Sequence, residues 1–341
     1  MIELPKVAVV ILNWNGKKFL ERFLPFVVAS TYPNIELIVA DNQSNDDSLA
    51  FLQAAYPQIK IIQNGSNLGF AEGYNQALAK VDADYFVLLN SDVEVTPSWI
   101  EPVVELMESD PAIAVAQPKL KDWTSRVRFE YAGAAGGYID KYGYPFCRGR
   151  IFDTLETDEG QYDDVVEIFW ASGAAFFIKS EHWRRSGGFD ADFFAHMEEI
   201  DLCWRLKNMG FKIMYCPKST VYHVGGGTLD AENPFKTYLN FRNNLAMLLK
   251  NLPAERKFPV IFIRFWLDFI ALLKFLLGGK FAQVGAINKA HTAFFKHFKK
   301  NRNKAGESLP LENLTGYYEG SIVWQYFGKK VRSFRDLPFK G

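Results

Sequence analysis

The sequence predicts an α/β fold with a mainly parallel sheet, followed by a region of long helices. Three features carry this expectation. Short apolar runs bounded by polar residues recur along the N-terminal part, as fits strands buried on both faces of a parallel sheet. Stretches with apolar residues at helical spacing alternate with them, the pattern of successive strand–helix units. After Asn233 and Pro234 the strand-like runs stop and only long helical segments remain. At 341 residues, 48% hydrophobic and 23% charged, the chain carries enough apolar mass for one large domain and a smaller one.

The elements follow in order. Lys6 to Asn13 is the first strand, turned by Trp14, Asn15 and Gly16 into a helix over Lys17–Ala29 that gathers Phe19, Leu20, Phe23, Leu24 and Val27 at helical spacing. Ile35–Ala40 is the second strand, and it runs into Asp41-Asn42-Gln43-Ser44-Asn45-Asp46, which is strong turn chemistry. Ser48–Ala55 reads as a helix, Ile59–Gln63 as a third strand, Gly73–Val81 as a helix and Tyr85–Leu89 as a fourth strand. Crossovers between parallel neighbours are expected to be right-handed. Ile113–Gln117 and Val165–Trp170 are further strand candidates. The stretch 120–165 is rich in Gly, Tyr, Asp and Arg and is expected to form loops with short strands. Phe193–Met209 holds a helix, Lys212–Cys216 and Ser219–His223 two strands, and Gly225-Gly226-Gly227 a mobile turn.

Residues 1–234 and 235–341 are expected to form separate regions. Phe235–Leu252 is a helix interrupted by Pro253, and Phe258–Leu277 is close to bilayer-spanning length. Arg264, Asp268 and Lys274 fall within a sector of roughly 120° on that second helix, which predicts an amphipathic helix rather than a span. Lys280, Lys289, Lys296, Lys299, Lys300, Arg302 and Lys304 follow. The formal net charge of zero hides this asymmetry, because from Lys236 onward there are 19 Lys+Arg against 6 Asp+Glu. An apolar face beside a basic flank suits a helix lying on an anionic membrane surface. A helical subdomain packed on the main domain, with solvated lysines, is the alternative. Nucleic acid is not an expected partner, since the basic residues lie on an apolar helical tail without a recognition module. The three cysteines, Cys147, Cys203 and Cys216, lack metal-ligand spacing and cannot all pair, which fits reduced thiols in the cytoplasm. A strand this close to Met1 leaves no room for a secretory signal.

Two acids stand where chemistry is expected. Asp41 and Asp92 each follow a strand, and ligands of open α/β sheets bind beyond the carboxyl ends of strands. One carboxylate there is a natural ligand for a metal carrying a phosphate; it is equally a good helix N-cap. Asn64 to Asn75, with Gly65, Gly69 and Gly73 four apart, has the look of a phosphate loop opening a helix. It matches neither Gly-x-Gly-x-x-Gly nor a Walker loop, so a plain turn is the competing reading. The densest feature is Phe193-Phe-Ala-His-Met-Glu198-Glu199-Ile-Asp201-Leu-Cys-Trp-Arg205. Acids near a helix start are favoured by its dipole, and Asp201 can pair with Arg205 at i+4. The flanking aromatics predict half-buried carboxylates with raised pKa values, suited to a general base. His223, at a strand end, is a candidate metal ligand or a structural histidine.

Taken in order, these segments resemble the inverting family 2 glycosyltransferases of GT-A fold, especially rhamnosyltransferase-like members. The carriers are Val9–Gly16, Asp41–Ser44, Asn67–Ala71 with Asn75, Leu89-Asn-Ser-Asp92, Trp170–Gly173, Gly187–Asp190, Glu198–Arg205 and His223. The resemblance implies a nucleotide-sugar donor, UDP- or dTDP-linked, held by Asn13, Asn15, Asp41, Asn67, Gly69, Asn75, Asn90 and Ser91, with Asp41 on the base. It implies a divalent cation, Mg²⁺ or Mn²⁺, on Asp92, bridging the diphosphate, with His223 able to complete the metal shell. Asn90 stands in place of a second Asp, so the metal shell must borrow ligands from the donor. Among Glu198, Glu199 and Asp201, the base position falls on Glu199, where the family usually has Asp; Asp201 would orient the helix or acceptor through Arg205. The expected reaction is single displacement with inversion onto a saccharide or lipid-linked saccharide, in surface polysaccharide synthesis at the cytoplasmic face of the inner membrane. A non-catalytic sugar-nucleotide-binding or scaffold protein is the other reading. A nucleotidyltransferase is disfavoured because no Gly-rich, Arg/Lys-bearing loop follows the first strand.

Overall fold

A computed structural model describes residues 4–225 and 233–339; Gly226 and Gly227 of the expected glycine turn lie outside them. The first half alternates as the apolar runs predict: β1 (Val7–Asn13), α1 (Lys17–Val28), β2 (Ile35–Asp41), α2 (Ser48–Ala55), β3 (Lys60–Gln63), α3 (Gly69–Leu78) and β4 (Tyr85–Asn90). β1 lies between β2 and β4, with β3 beyond β2, and all four strands are parallel. Next come β5 (Val93–Val95), α4 (Glu101–Glu108) and β6 (Ile113–Asp122). The side-chain alternation explains why β1 and β4 are apolar up to their terminal Asn. Val7, Val9, Ile11, Tyr85, Val87 and Leu89 pack with residues of α1 and α4, whereas Ala8, Val10, Phe86 and Leu88 pack with α3 and the elements that follow it.

The middle of the chain departs from the sequence expectation. A small sheet holds β7 (Gly137–Asp140), β8 (Pro145–Cys147), β9 (Arg150–Ile151) and β10 (Thr154–Leu155). Of the strand expected over Val165–Trp170, only β11 (Val166–Glu167) pairs in the large sheet, because Trp170 turns away to bridge Gly137. The central antiparallel strand is instead β12 (Ala175–Lys179), inserted between β4 and β6. Its five residues are too short a run to stand out from the apolar surroundings. Then come α5 (Ser180–Ser186), α6 (Glu198–Asn208) and β13 (Lys212–His223). The two strands expected over 212–223 are one, with its register shifted between Cys216 and Thr220 around Pro217, which cannot donate to the ladder.

The C-terminal region is α7 (Pro234–Asn251), α8 (Ala254–Leu277), α9 (Phe281–Lys296), α10 (Phe298–Asn303) and the short strand β14 (Tyr317–Tyr318). It is woven into the rest. β14 pairs parallel with β7, and Leu245, Met247, Leu248 and Leu249 of α7 share one apolar cluster with Phe169 and Trp204. All three cysteines are buried and free.

α8 is amphipathic, but in the opposite sense to a solvated polar face. Arg264 and Asp268 point inward, 4% and 0% exposed, with Arg264 Nη2 donating to Asp268 Oδ1 at 3.3 Å and lying over the Tyr144 ring. The apolar face points out: Phe262 is 64% exposed, Trp266 58% and Leu277 88%, with Phe258, Phe269, Ile270 and Leu273 beside them. Among the described residues, no helix is long and apolar enough to cross a membrane.

Candidate active site

Parallel strands place their carboxyl ends on one rim, and there a cavity of about 590 Å³ opens, within the usual size of small-ligand sites. Asn15, Asn67, Gly69, Asn90, Ser91, Asp92, Glu198, Glu199 and His223 line it, so residues far apart in sequence converge as anticipated. Asn13, Asp41, Asn75 and Asp201 do not line it. Asp41 is fully buried, and its carboxylate accepts from Asn13 Nδ2 at 2.9 Å, Ser44 N at 2.8 Å and Ser44 Oγ at 2.6 Å. Ser44 Oγ also accepts from Asn15 N, at 2.9 Å. In this geometry Asp41 holds the Asn13–Ser44 rim that presents Asn15. Asn75 is likewise occupied: Nδ2 donates to Phe189 O at 2.9 Å and Oδ1 accepts from Phe189 N at 3.0 Å.

The loop before α3 does not offer its backbone donors to a phosphate. Gly69 N donates to Asn67 Oδ1 at 3.0 Å, while Phe70 N and Ala71 N both donate to Phe194 O, at 2.6 and 3.0 Å. The N–H groups of Gly69, Phe70 and Ala71 are thus satisfied by the protein, while Asn67 and Gly69 still line the cavity. Gly69 has φ +73, and a Cβ there would come within 2.6 Å of Phe194 O, so glycine permits this contact.

Asp92 ends the run carried by β4, and His223 ends β13; β5 pairs with that end of β13 and brings the two together. His223 Nε2 lies 3.2 Å from Asp92 Oδ1, and Nδ1 lies 3.1 Å from Glu130 Oε1. Burial works against the imidazolium, but Glu130 and Asp92 outweigh it and push His223 up to about 10. Asp92 is lowered despite burial, because His223 favours its charge. Among the described residues no three acids, histidines or cysteines gather as a metal cage. A carboxylate oxygen beside an imidazole nitrogen, facing a cavity, nonetheless fits a divalent cation that takes its other ligands from water and phosphate. Glu130 lies behind the imidazole, where a carboxylate could orient a ligating histidine. The sequence had not marked Glu130: it stands in the stretch expected to be loops, with no local motif around it.

Glu198 and Glu199 open α6 and line the same cavity. Glu198 is buried and Glu199 half-buried, and each has one Oε2 without a partner. Burial raises Glu198 well above the usual carboxylate value, with the charge of Glu199 adding to it. Burial also raises Glu199, against backbone N–H donors at the helix start, to about 7. Asp201 has a different part. It accepts from Arg205 Nε at 2.9 Å, Lys250 Nζ at 2.9 Å and Asn251 Nδ2 at 2.8 Å, which hold its carboxyl below the usual range despite burial. It ties α6 to α7, as expected of an orienting residue but through Lys250 and Asn251 as well as Arg205. A polar stripe on the buried side of α7 (Asn243, Lys250, Asn251) was the signal that could have marked this joint.

The profile of glycosyl transferase family 2 matches residues 8–169. The chain is similar to the N-acetylglucosaminyl-diphospho-decaprenol L-rhamnosyltransferase of Mycobacterium tuberculosis, 27% identical over 64% of this chain and 75% of that protein. It is also similar to rhamnosyltransferase WbbL of Escherichia coli, 25% identical over 64% and 83%. Its fold matches the solved structure of the mannosyltransferase PcManGT from Pyrobaculum calidifontis in complex with GDP-Man and Mn²⁺, with a TM-score of 0.54, 14% identity and coverage of 87% and 76%. GalNAc-T7 with UDP, GalNAc and Mn²⁺ has a TM-score of 0.58 at 16% identity over 74% of this chain, which spans about half of that one, 49%.

Proposed function

Because the chain belongs to glycosyl transferase family 2 and has a GT-A fold, we propose that it transfers a sugar from a nucleoside diphosphate to a hydroxyl of a lipid-linked saccharide, with inversion and with a divalent cation. The observation that carries this is one cavity lined by both the Asp92–His223 pair and the Glu198–Glu199 pair. The donor's diphosphate belongs by Asp92 and His223, which would hold the cation; when bound, that cation neutralises charge on the leaving group. Glu199 is the base. Its value near 7 leaves it partly ionised at neutral pH, and it is the more exposed of the two carboxylates lining the cavity, Glu198 being buried and pushed well above the usual carboxylate value. A base that takes the acceptor proton as the hydroxyl attacks supports a single displacement, and therefore inversion. Relatives named as rhamnosyltransferases, one of them an N-acetylglucosaminyl-diphospho-decaprenol L-rhamnosyltransferase, support a deoxyhexose donor and a lipid diphosphate acceptor. Thermal unfolding with dTDP-L-rhamnose, UDP-GlcNAc and GDP-mannose, each with and without Mn²⁺, tests the reading. The cognate donor is expected to raise the midpoint, and Mn²⁺ to enlarge the rise, since ligand binding to the folded state adds RT ln(1 + [L]/Kd). No stabilisation by any nucleotide sugar in a wider panel would sink it.

The inside-out α8 supports the membrane surface as the second partner. Each large apolar side chain left in water forgoes roughly 1.5–3 kcal/mol of burial, and this face carries a row of them. Exposed Lys274, Lys289, Lys296 and Lys299 supply attraction to anionic headgroups. Lys300 and Lys304, counted in the basic flank from sequence, are instead paired with Asp192 and Asp190. The protein is expected to co-sediment with vesicles of phosphatidylethanolamine and phosphatidylglycerol. Phe262→Ser, Trp266→Ser and Leu277→Ser together are expected to weaken partitioning by at least about 10²-fold. Unchanged binding by the triple variant, or a lipid-independent dimer that the variant dissolves, would overturn the membrane assignment.

A further inference from the structure

The segment that delivers Glu198 and Glu199 to the cavity is held in an unfavourable backbone conformation. Phe194, His196 and Met197 all have positive φ, at 65°, 68° and 73°, without being glycine. Phe194, with ψ −61°, forms a γ-turn of the strained hand, closed by Ala195 N donating to Phe193 O at 2.7 Å. Residues in such regions cost of order 1–3 kcal/mol each and persist only where their surroundings over-determine them. One side of the restraint is the start of α3, whose Phe70 and Ala71 N–H groups grip Phe194 O.

The other side comes from α7. Asn243 is 1% exposed, and its Nδ2 lies 2.9 Å from Phe193 O, 2.9 Å from Ala195 O and 2.8 Å from His196 O. Three carbonyls of one short segment therefore converge on a single amide nitrogen. The amide cannot be turned the other way, because Arg242 Nε donates to Asn243 Oδ1 at 2.8 Å. Arg242 Nη2 adds donations to Asp192 O and Phe193 O, both at 2.9 Å.

We propose that Asn243 is a positioning residue for the catalytic carboxylates: its amide holds the strained turn before α6 so that Glu199 projects into the cavity at the right reach. The inference rests on Glu199 being the base. Asn243 acts from α7 without lining the cavity itself, which Phe235 and Lys236 at the start of that helix do, and the same helix also pins α6 at Asp201 through Lys250 and Asn251. Turn and helix are thus registered against one rigid element.

Asn243→Asp tests this in the full chain. It is nearly isosteric and keeps an acceptor for Arg242, but at pH 8 it offers no donor to the three carbonyls. With dTDP-L-rhamnose, or whichever donor stabilises the protein, turnover is measured as nucleoside diphosphate release onto an N-acetylglucosaminyl-diphospho-lipid. The variant is expected to lose about 10²-fold in kcat, the scale of a 1 Å misplacement. The donor's effect on thermal stability is expected to be retained, and the acidic limb of the pH–rate profile to move. Asn243→Ala should show the same split if it folds, and Asn243→His, which restores one N–H donor, should recover part of kcat. A kcat equal to the unsubstituted protein would overturn the proposal. So would activity lost only in proportion to the unfolded fraction, with the pH limb unmoved. Glu199→Gln is assayed alongside: if it turns over normally, the base assignment falls and takes the proposal with it; if it is dead while Asn243→Asp is normal, only the positioning role falls.

Discussion

Glu199→Gln is expected to abolish transfer while leaving donor binding nearly intact. The amide preserves shape but cannot take a proton, and general base catalysis contributes typically 10²–10⁴-fold, so kcat should fall by about that factor. Thermal stabilisation by the donor, which depends on the Asp92–His223 pair, should persist. The pH dependence has a definite sign. Glu199 is raised to about 7 by burial, and the base acts only when ionised. In the unsubstituted enzyme kcat is therefore expected to fall below pH 7, approaching about tenfold per pH unit, and to level off above it. In Glu199→Gln that limb should vanish from the residual rate. Glu198→Gln separates the pair. Burial favours the uncharged form of Glu198, so its amide should keep most of the activity and leave the acidic limb in place. Normal turnover by Glu199→Gln, with Glu198→Gln dead, would exchange the two roles.

Asp92→Asn is expected to remove the Mn²⁺-dependent part of donor stabilisation, since it takes away the carboxylate facing the cavity from the Asp92–His223 pair. Loss of an outer partner of a metal-bound histidine costs typically 10–100-fold in metal affinity. Glu130→Gln should weaken Mn²⁺ binding within that range, and Asp92→Asn by more. The measurement is Mn²⁺ titration of the donor-bound protein. If Asp92→Asn retains an unchanged Mn²⁺ response, the cation is held elsewhere.

Much of the large sheet could be read from the sequence because strands buried on both faces must be apolar throughout, and β1, β2 and β4 advertise this plainly. β12 was missed because a five-residue strand among other apolar segments carries no distinguishing period. Val165–Trp170 was overestimated because Trp170 joins a different sheet, a choice made by contacts with Gly137 and not by its own residues. The site was legible where a residue type ends a strand or opens a helix, as at Asp92, His223, Glu198 and Glu199. Asp41, Asn13 and Asn75 were also marked, and the fold uses the Asp41 carboxylate, the Asn13 Nδ2 and the Asn75 amide within the protein. Glu130 carried no local signal and Asn243 only the polar stripe of α7, since each acts on a partner more than 40 residues away.

The polarity of α8 divides the two kinds of knowledge. The sequence by itself determined that one side of this helix is polar and the other apolar, because spacing at 3.6 residues per turn fixes which residues share a face. It also determined the order of strands, helices and acids that assigns the chain to its family. Only the tertiary structure decided which side of α8 faces in, for Arg264 and Asp268 find partners in Tyr144 and His291 beneath the helix. The same holds for the rest: periodicity is local, whereas burial, pairing and pKa depend on neighbours supplied by distant parts of the chain.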